Sequence, residues 1–403
     1  MSQNYPRLAS IQEESLVKTS VLVRGISIIM LLFIIPLEGL LESRLISWGK
    51  HVVYDFQQDR TDNGKMFFTI VSYLGGDWTL IFICPAIYHF YDARRGIKLI
   101  LMINFTMYVT SFLSLLYREP RPYWEDKDIK GVLCLSGFAN PSYQVMLGTV
   151  IYVSIAIEIF HRSRFRIIAY GIVVIIATMI SIGGVYLGEI FPHQILITLC
   201  YCFIYVTVAF AFDKTMMDLS LKSSFNYKTN RTYIVFWFIG TMMLFLGVIG
   251  VFQIVTLNST VNLKWIRNAT KHCSLNYDVS GAYSFYHSAW IFYNFGLVTG
   301  AMISSKKITM FWGYTKIWKK VIRFLITAGL SVGIKLLFNQ INTTEVVTEY
   351  IWKHALPLFL MSFLYAGLLP RFFAKLQLLV SLDPTIDEEN ELKSIHENEM
   401  KLI

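Results

Sequence analysis

Ten long apolar runs leave this 403-residue chain almost no choice of fold. They fall at roughly 20–41, 67–91, 97–117, 141–160, 166–188, 191–212, 232–256, 283–303, 321–341 and 349–369. Each is close to the ~20 residues that carry a helix across a bilayer. Backbone groups in hydrocarbon must pair within their own segment, and these runs do not alternate apolar with polar. Helices are therefore predicted, not barrel strands. Only 16% of the residues are charged and 55% are hydrophobic, against about 25% charged in a soluble domain. The expected fold class is all-α: a polytopic membrane protein of about ten transmembrane helices.

The net charge of +9 does not point to nucleic acid. The excess sits in short loops beside the spans: Arg94, Arg95 and Lys98; Arg162, Arg164 and Arg166; Lys214, Lys222, Lys228 and Arg231; and Lys306, Lys307, Lys316, Lys319, Lys320 and Arg323. Positive loops stay in the cytoplasm, and these alternate correctly if both termini are cytoplasmic. The sequons at Asn258, Asn268 and Asn342 then fall on the luminal side and are expected to carry glycans. Asn230 would be cytoplasmic and Asn104 buried in a span, so both should stay unmodified. The lipid bilayer is the one partner the composition requires, in the endoplasmic reticulum or a related membrane.

The predicted organisation is a polar leader (1–19), a six-helix unit (20–212), a cytoplasmic loop (213–231), four further helices (232–369) and an acidic cytoplasmic tail (370–403). The first run has no small-residue cleavage site and reads as a signal anchor. Loop 42–66, with Trp48, Val52, Tyr54 and Phe56, is expected to lie along the luminal membrane face. The five cysteines show no metal spacing, and neither a metal nor a cofactor is expected. Cys84, Cys200 and Cys202 lie within spans as small packing residues. Cys134 and Cys273 both fall in luminal loops, where a disulfide persists if their geometry allows it.

Two segments carry the candidate chemistry. One is Tyr117-Arg118-Glu119-Pro120-Arg121-Pro122-Tyr123-Trp124, where prolines stiffen the exit of the third span around an arginine. The other is Phe191-Pro192-His193-Gln194. Arginine suits phosphate because its planar fork gives two parallel charge-assisted bonds. Phosphoryl transfer further needs an in-line nucleophile and an acid for the leaving group.

Arg121-Pro122-Tyr123-Trp124, Asn140-Pro141-Ser142 and the run Tyr186 to Gln194 together resemble the three-part signature of the type 2 phosphatidic acid phosphatase superfamily. The resemblance covers about residues 65–212 and implies that the first six helices form a phosphatase-like bundle. It is partial. The family's first part has a lysine where this chain has Ser114, while Arg121 matches and Arg118 lies one turn from Ser114. The second part ends in an acid histidine; here Pro141-Ser142-Tyr143-Gln144 retains Ser142 but has Gln144, which cannot deliver a proton. The third part has an arginine and a nucleophilic histidine, and this chain has Gly184 and Ile190. Gln194 occupies the position of the residue that orients the nucleophile. His193 is a weak substitute, since that register puts Leu187 and Ile197 where its partners belong.

Losing one member of a nucleophile–acid unit costs about 10³ or more, and each lost oxyanion donor another ~10²–10³. The expectation is thus a catalytically impaired pseudophosphatase that keeps Arg121, Ser142 and Arg118 for phosphate, and binds a phosphorylated lipid or regulates a protein partner. Two alternatives stand beside it. One is an active phosphomonoesterase of lipid or sugar phosphates, built from Arg118, Arg121, Ser142 and His193. The other is a transporter or scramblase, suggested by Asp77 in the second span, which either hydrogen-bonds a neighbouring helix or pairs with Lys335. His287 and Glu158 are read as packing or snorkelling groups.

Overall fold

A computed structural model describes residues 25–91, 93–161, 163–212, 230–258, 262–273, 283–304, 315–343 and 345–379; the side chains of 93–95, 230 and 231 are outside the description. The leader, most of loop 213–231, the cationic residues Arg162, Lys306 and Lys307, and the acidic tail from residue 380 onward lie outside the described residues.

Every regular element among the described residues is helical. We label them α1 (Ile35–Gln58), α2 (Asp62–Tyr73), α3 (Asp77–Phe90), α4 (Ala93–Tyr117), α5 (Pro122–Glu125), α6 (Tyr143–Phe160), α7 (Arg166–Tyr186), α8 (Pro192–Ala211), α9 (Asn230–Asn258), α10 (Leu263–His272), α11 (Trp290–Ser304) and α12 (Ile317–Asn339), followed by a last span over Val346–Lys375. Among the described residues, eight helices are long and apolar enough to cross a membrane, and the pair α2–α3 makes a ninth if counted as one span.

Three sequence expectations need correction. The second run is not one straight helix: it bends by 47° between α2 and α3. At the break Gly75 lies so close to the Gln144 carbonyl that a Cβ would overlap it. The run 283–303 is α-helical over only 15 residues, after a 3-10 turn at Tyr286–Ala289. It is buried on nearly every face, so its apolar length reflects protein core more than lipid contact. Finally, residues 42–58 are no membrane-surface loop. They continue the first span through Gln58 because no proline interrupts them, and the chain turns only at Thr61, whose hydroxyl caps α2 by accepting from Gly64 N at 3.1 Å.

The first six spans and the later ones share one core. A single apolar cluster runs from Leu80 and Tyr88 through Met107 and Leu115 to Phe285, Tyr293, Met361 and Tyr365. Helix α4 lies at its centre, with 72% of its most apolar window buried. Small residues permit the closest approach: Gly300 of α11 meets Gly367 of the last span, where a Cβ on Gly367 would stand 3.1 Å from the Gly300 Cα. Asn104 is fully buried and its Nδ2 donates to Asn294 Oδ1 at 3.0 Å, as its position inside a span requires.

Candidate functional site

The three signature segments do meet at one end of the bundle, and they are held there by backbone bonds. Phe191 N donates to Gln194 Oε1 (2.9 Å), and Pro192 at the first helical position starts α8. Asn140-Pro141 is a cis peptide, and Ser142 N donates to Thr198 Oγ1 (2.9 Å), tying the start of α6 to α8. Gly188, at φ +75°, makes the tight turn between α7 and α8 that a side chain would strain.

Arg121 is buried, and its guanidinium is directed at protein. Nε donates to Gly137 O (2.8 Å), Nη2 to Ser136 O (3.0 Å) and Nη1 to Glu189 O (3.1 Å). Glu189 complements it on the same loop: its carboxylate accepts from the backbone N–H of Leu133 (2.7 Å), Cys134 (3.1 Å) and Leu135 (3.4 Å). Burial pushes the Glu189 carboxyl above its usual range, against the opposing pull of Arg121 and these three donors. Arg121 and Glu189 thus clamp segment 131–137 by its carbonyls and its amides respectively. A phosphate held by Arg121 would displace that clamp.

The degenerate positions are filled by packing. Ser114 Oγ bonds back to Ser111 O (2.9 Å) within its own helix. Gln144 is buried in the first turn of α6. A Cβ on Gly184 would stand 2.5 Å from Ile190 Cδ1, and Ile190 is 1% exposed. Gly184 and Ile190, which the sequence resemblance sets against the family's arginine and nucleophile, are therefore packed against each other. Arg118 is exposed with φ +57°. Ser142 is buried as the residue preceding α6.

The polar centre of this end is one that sequence reasoning missed. Glu119 is 2% exposed and gathers three side chains: His193 Nε2 lies 3.2 Å and Gln194 Nε2 3.0 Å from its Oε2, and Asn140 Nδ2 donates to its Oε1 (2.9 Å). Glu38, from α1, lies 3.9 Å from His193 Nε2 and accepts from Asn140 at 3.4 Å. Gln194 also donates to Pro120 O (3.2 Å), so it orients Glu119 and the proline turn. The available signal was Glu38 itself, an ionisable residue within an apolar run and so a functional-site hypothesis by default.

A second polar centre joins the two halves of the chain. Asp77, at the start of α3, pairs with His287 Nδ1 at 3.1 and 3.2 Å, not with Lys335. The His287 ring stacks on Tyr143 at 3.9 Å. His287 is therefore a hydrogen-bond partner of Asp77, which corrects its reading as a packing group. Lys335 Nζ donates instead to Lys353 O (3.2 Å). Glu158 likewise does not snorkel: it bonds Lys98 at 3.1 Å with both side chains largely buried.

Over this end sits a cap made from both halves. Trp265 Nε1 and Lys264 Nζ of α10 donate to Glu125 of α5 at 2.7 and 2.9 Å, and Lys50 of α1 joins them at 3.2 Å. Cys134 and Cys273 are disulfide-bonded, crosslinking positions 139 residues apart. Of the three sequons, Asn258 and Asn342 are exposed. Asn268 is 6% exposed and its Nδ2 donates to Trp124 O at 2.8 Å, so a glycan there would have to break that bond. Beside the site, an apolar groove of about 610 Å³ opens between α1, α6, α7 and α8, lined by residues that include Trp48, Phe56, Val185 and Pro192.

Residues 95–218 match the family model described as the PAP2 superfamily. A solved structure described as the first transmembrane PAP2 type phosphatidylglycerolphosphate phosphatase, from Bacillus subtilis, is similar at 20% identity over 47% of this chain and 96% of that one, with a TM-score of 0.42. Nothing matches among curated proteins. Among the described residues the protein is all-helical, with the long apolar helices of a multi-pass membrane protein.

Proposed function

We propose that this protein is a pseudophosphatase: a phosphatase-like membrane bundle that does not hydrolyse phosphate esters and instead holds a lipid. One observation carries this reading, the contact of Ile190 with Gly184. Hydrolysis in the superfamily pattern needs an imidazole and a guanidinium at those two positions, and here an apolar side chain fills the space of both. The engagement of Arg121 by three carbonyls supports the same reading. His193 does not replace the nucleophile, since its Nε2 is already engaged by the buried Glu119 at 3.2 Å.

The groove beside the site supports the lipid part. Its walls are almost wholly apolar and it opens at the level of the spans, which suits an acyl chain and not a sugar. In this reading the disulfide-bearing end is luminal, in the endoplasmic reticulum or a related membrane, and both termini are cytoplasmic. The experiment is a phosphate-release assay on purified protein with phosphatidate, sphingosine 1-phosphate and glucose 6-phosphate, beside His193→Ala. Equal, background-level release from both supports the reading, and release that His193→Ala abolishes refutes it.

A second reading, a transporter or scramblase, rests on the break between α2 and α3 and on Asp77 pairing across it with His287. Broken helices and intramembrane charge pairs line transport paths in other membrane proteins. Lipid- or ion-flux measurements in liposomes, with Asp77→Asn as the control, separate it from the first.

A further inference from the structure

The polar bonding of the Glu38–Glu119–His193 cluster does not close with the groups it contains. Two buried carboxylates face one imidazole, and Glu42, one turn beyond Glu38, adds a third carboxylate to their surroundings. Three buried atoms have no hydrogen-bond partner: Glu38 Oε2, Asn140 Oδ1 and His193 Nδ1. The Glu38 side chain is only 4% exposed, so water does not satisfy it from outside. Two buried carboxyls this close are stabilised either by a proton shared between them or by a cation held between them.

The geometry suits a small cation as that counter-charge. One donor atom from each of Glu38, Glu119 and His193 lies within 4.8 Å of the other two. The His193 Nε2 distances, 3.2 Å to Glu119 and 3.9 Å to Glu38, bracket the edge of about 3.4 Å expected between ligands ~2.1 Å from a tetrahedral ion. Glu119 is already oriented by amides of Asn140 and Gln194, the kind of support that ligating carboxylates usually have. We propose that Glu38, Glu119 and His193 bind a first-row divalent cation, with Zn²⁺ the best match. One nitrogen and two oxygens suit zinc, whereas calcium asks for six to eight oxygens. No metal pattern was visible in the sequence because the ligands come from α1, the exit of α4 and the start of α8.

The inference does not depend on whether the protein hydrolyses phosphate, since its test reads binding. Full-length protein, purified in detergent without a histidine tag and stripped with a chelator, is titrated with Zn²⁺ by calorimetry, with Mn²⁺ as competitor. One equivalent should bind, and the zinc X-ray absorption edge should report nitrogen and oxygen neighbours with a single imidazole and no sulfur. Glu38→Gln and His193→Gln should each weaken binding by at least about 10-fold, and Glu349→Gln should not. Glu119 also anchors Asn140 and Gln194, so its loss risks unfolding and Glu38→Gln is the decisive variant. Absence of stoichiometric binding, a sulfur shell, or unchanged affinity in Glu38→Gln and His193→Gln would overturn the proposal.

Discussion

Ile190 packs over the bare Cα of Gly184, where a Cβ would stand 2.5 Å from Ile190 Cδ1; the sequence resemblance sets these two residues against a nucleophilic histidine and a phosphate-binding arginine. The pairing explains why neither position is free to change alone. Restoring a side chain at 184 collides with Ile190, and shrinking Ile190 opens a void against Gly184.

Gly184→Ala should therefore destabilise the protein by ~1–3 kcal/mol through overpacking. Combined with Ile190→Ala, its cost should fall well short of the sum of the two single changes, because the residues touch. Thermal unfolding of the four proteins in detergent closes this cycle. Strict additivity would show that the contact is not formed.

Arg121 gives a sharper contrast. As a clamp on three buried carbonyls, its replacement by Lys should still cost several kcal/mol, since one ammonium cannot serve Gly137, Ser136 and Glu189 together and each unpaired carbonyl costs ~1–3 kcal/mol. As a phosphate ligand, it would instead leave stability unchanged and lower vanadate affinity. Melting curves of Arg121→Lys with and without vanadate separate the two roles, and the clamp predicts a lowered midpoint that vanadate does not restore.

The Cys134–Cys273 bond joins segment 131–137 to the C-terminal half of the cap. Cys134→Ser should cost ~2–5 kcal/mol, typical of a native disulfide. Without reductant, thiol labelling of the unfolded wild-type chain should reach Cys84, Cys200 and Cys202 alone. Labelling of all five cysteines would place this end in a reducing compartment.

Glycosylation reports the same sidedness independently. Asn258 and Asn342 are exposed and should be modified, whereas Asn268, buried against Trp124 O, should not be. Endoglycosidase treatment of single Asn→Gln variants reads this as gel shifts. A shift lost only in Asn268→Gln would contradict it.

Most of the bundle was legible in the sequence because hydrocarbon leaves helices as the one solution for long apolar runs. The burial of Asn104 and the meeting of three motif segments at one end followed from the same constraint. What escaped was decided by contacts between distant residues. The break after Tyr73 depends on Gly75 meeting Gln144, the length of α1 on the absence of any stop before Thr61, and the Asp77–His287 pair on packing between the two halves. Glu119 was hidden in plain view, next to an arginine that matched a motif. Its role appears only when α1 and α8 bring Glu38 and His193 beside it.

The most direct test of the account is turnover by the purified full-length protein. Inorganic phosphate released from phosphatidate, sphingosine 1-phosphate and glucose 6-phosphate should stay at the background of the His193→Ala protein, and no phosphorylated histidine should be trapped on acid-free quenching. Release above that background, lost on changing His193, would contradict the claim that Gly184 and Ile190 have closed the site.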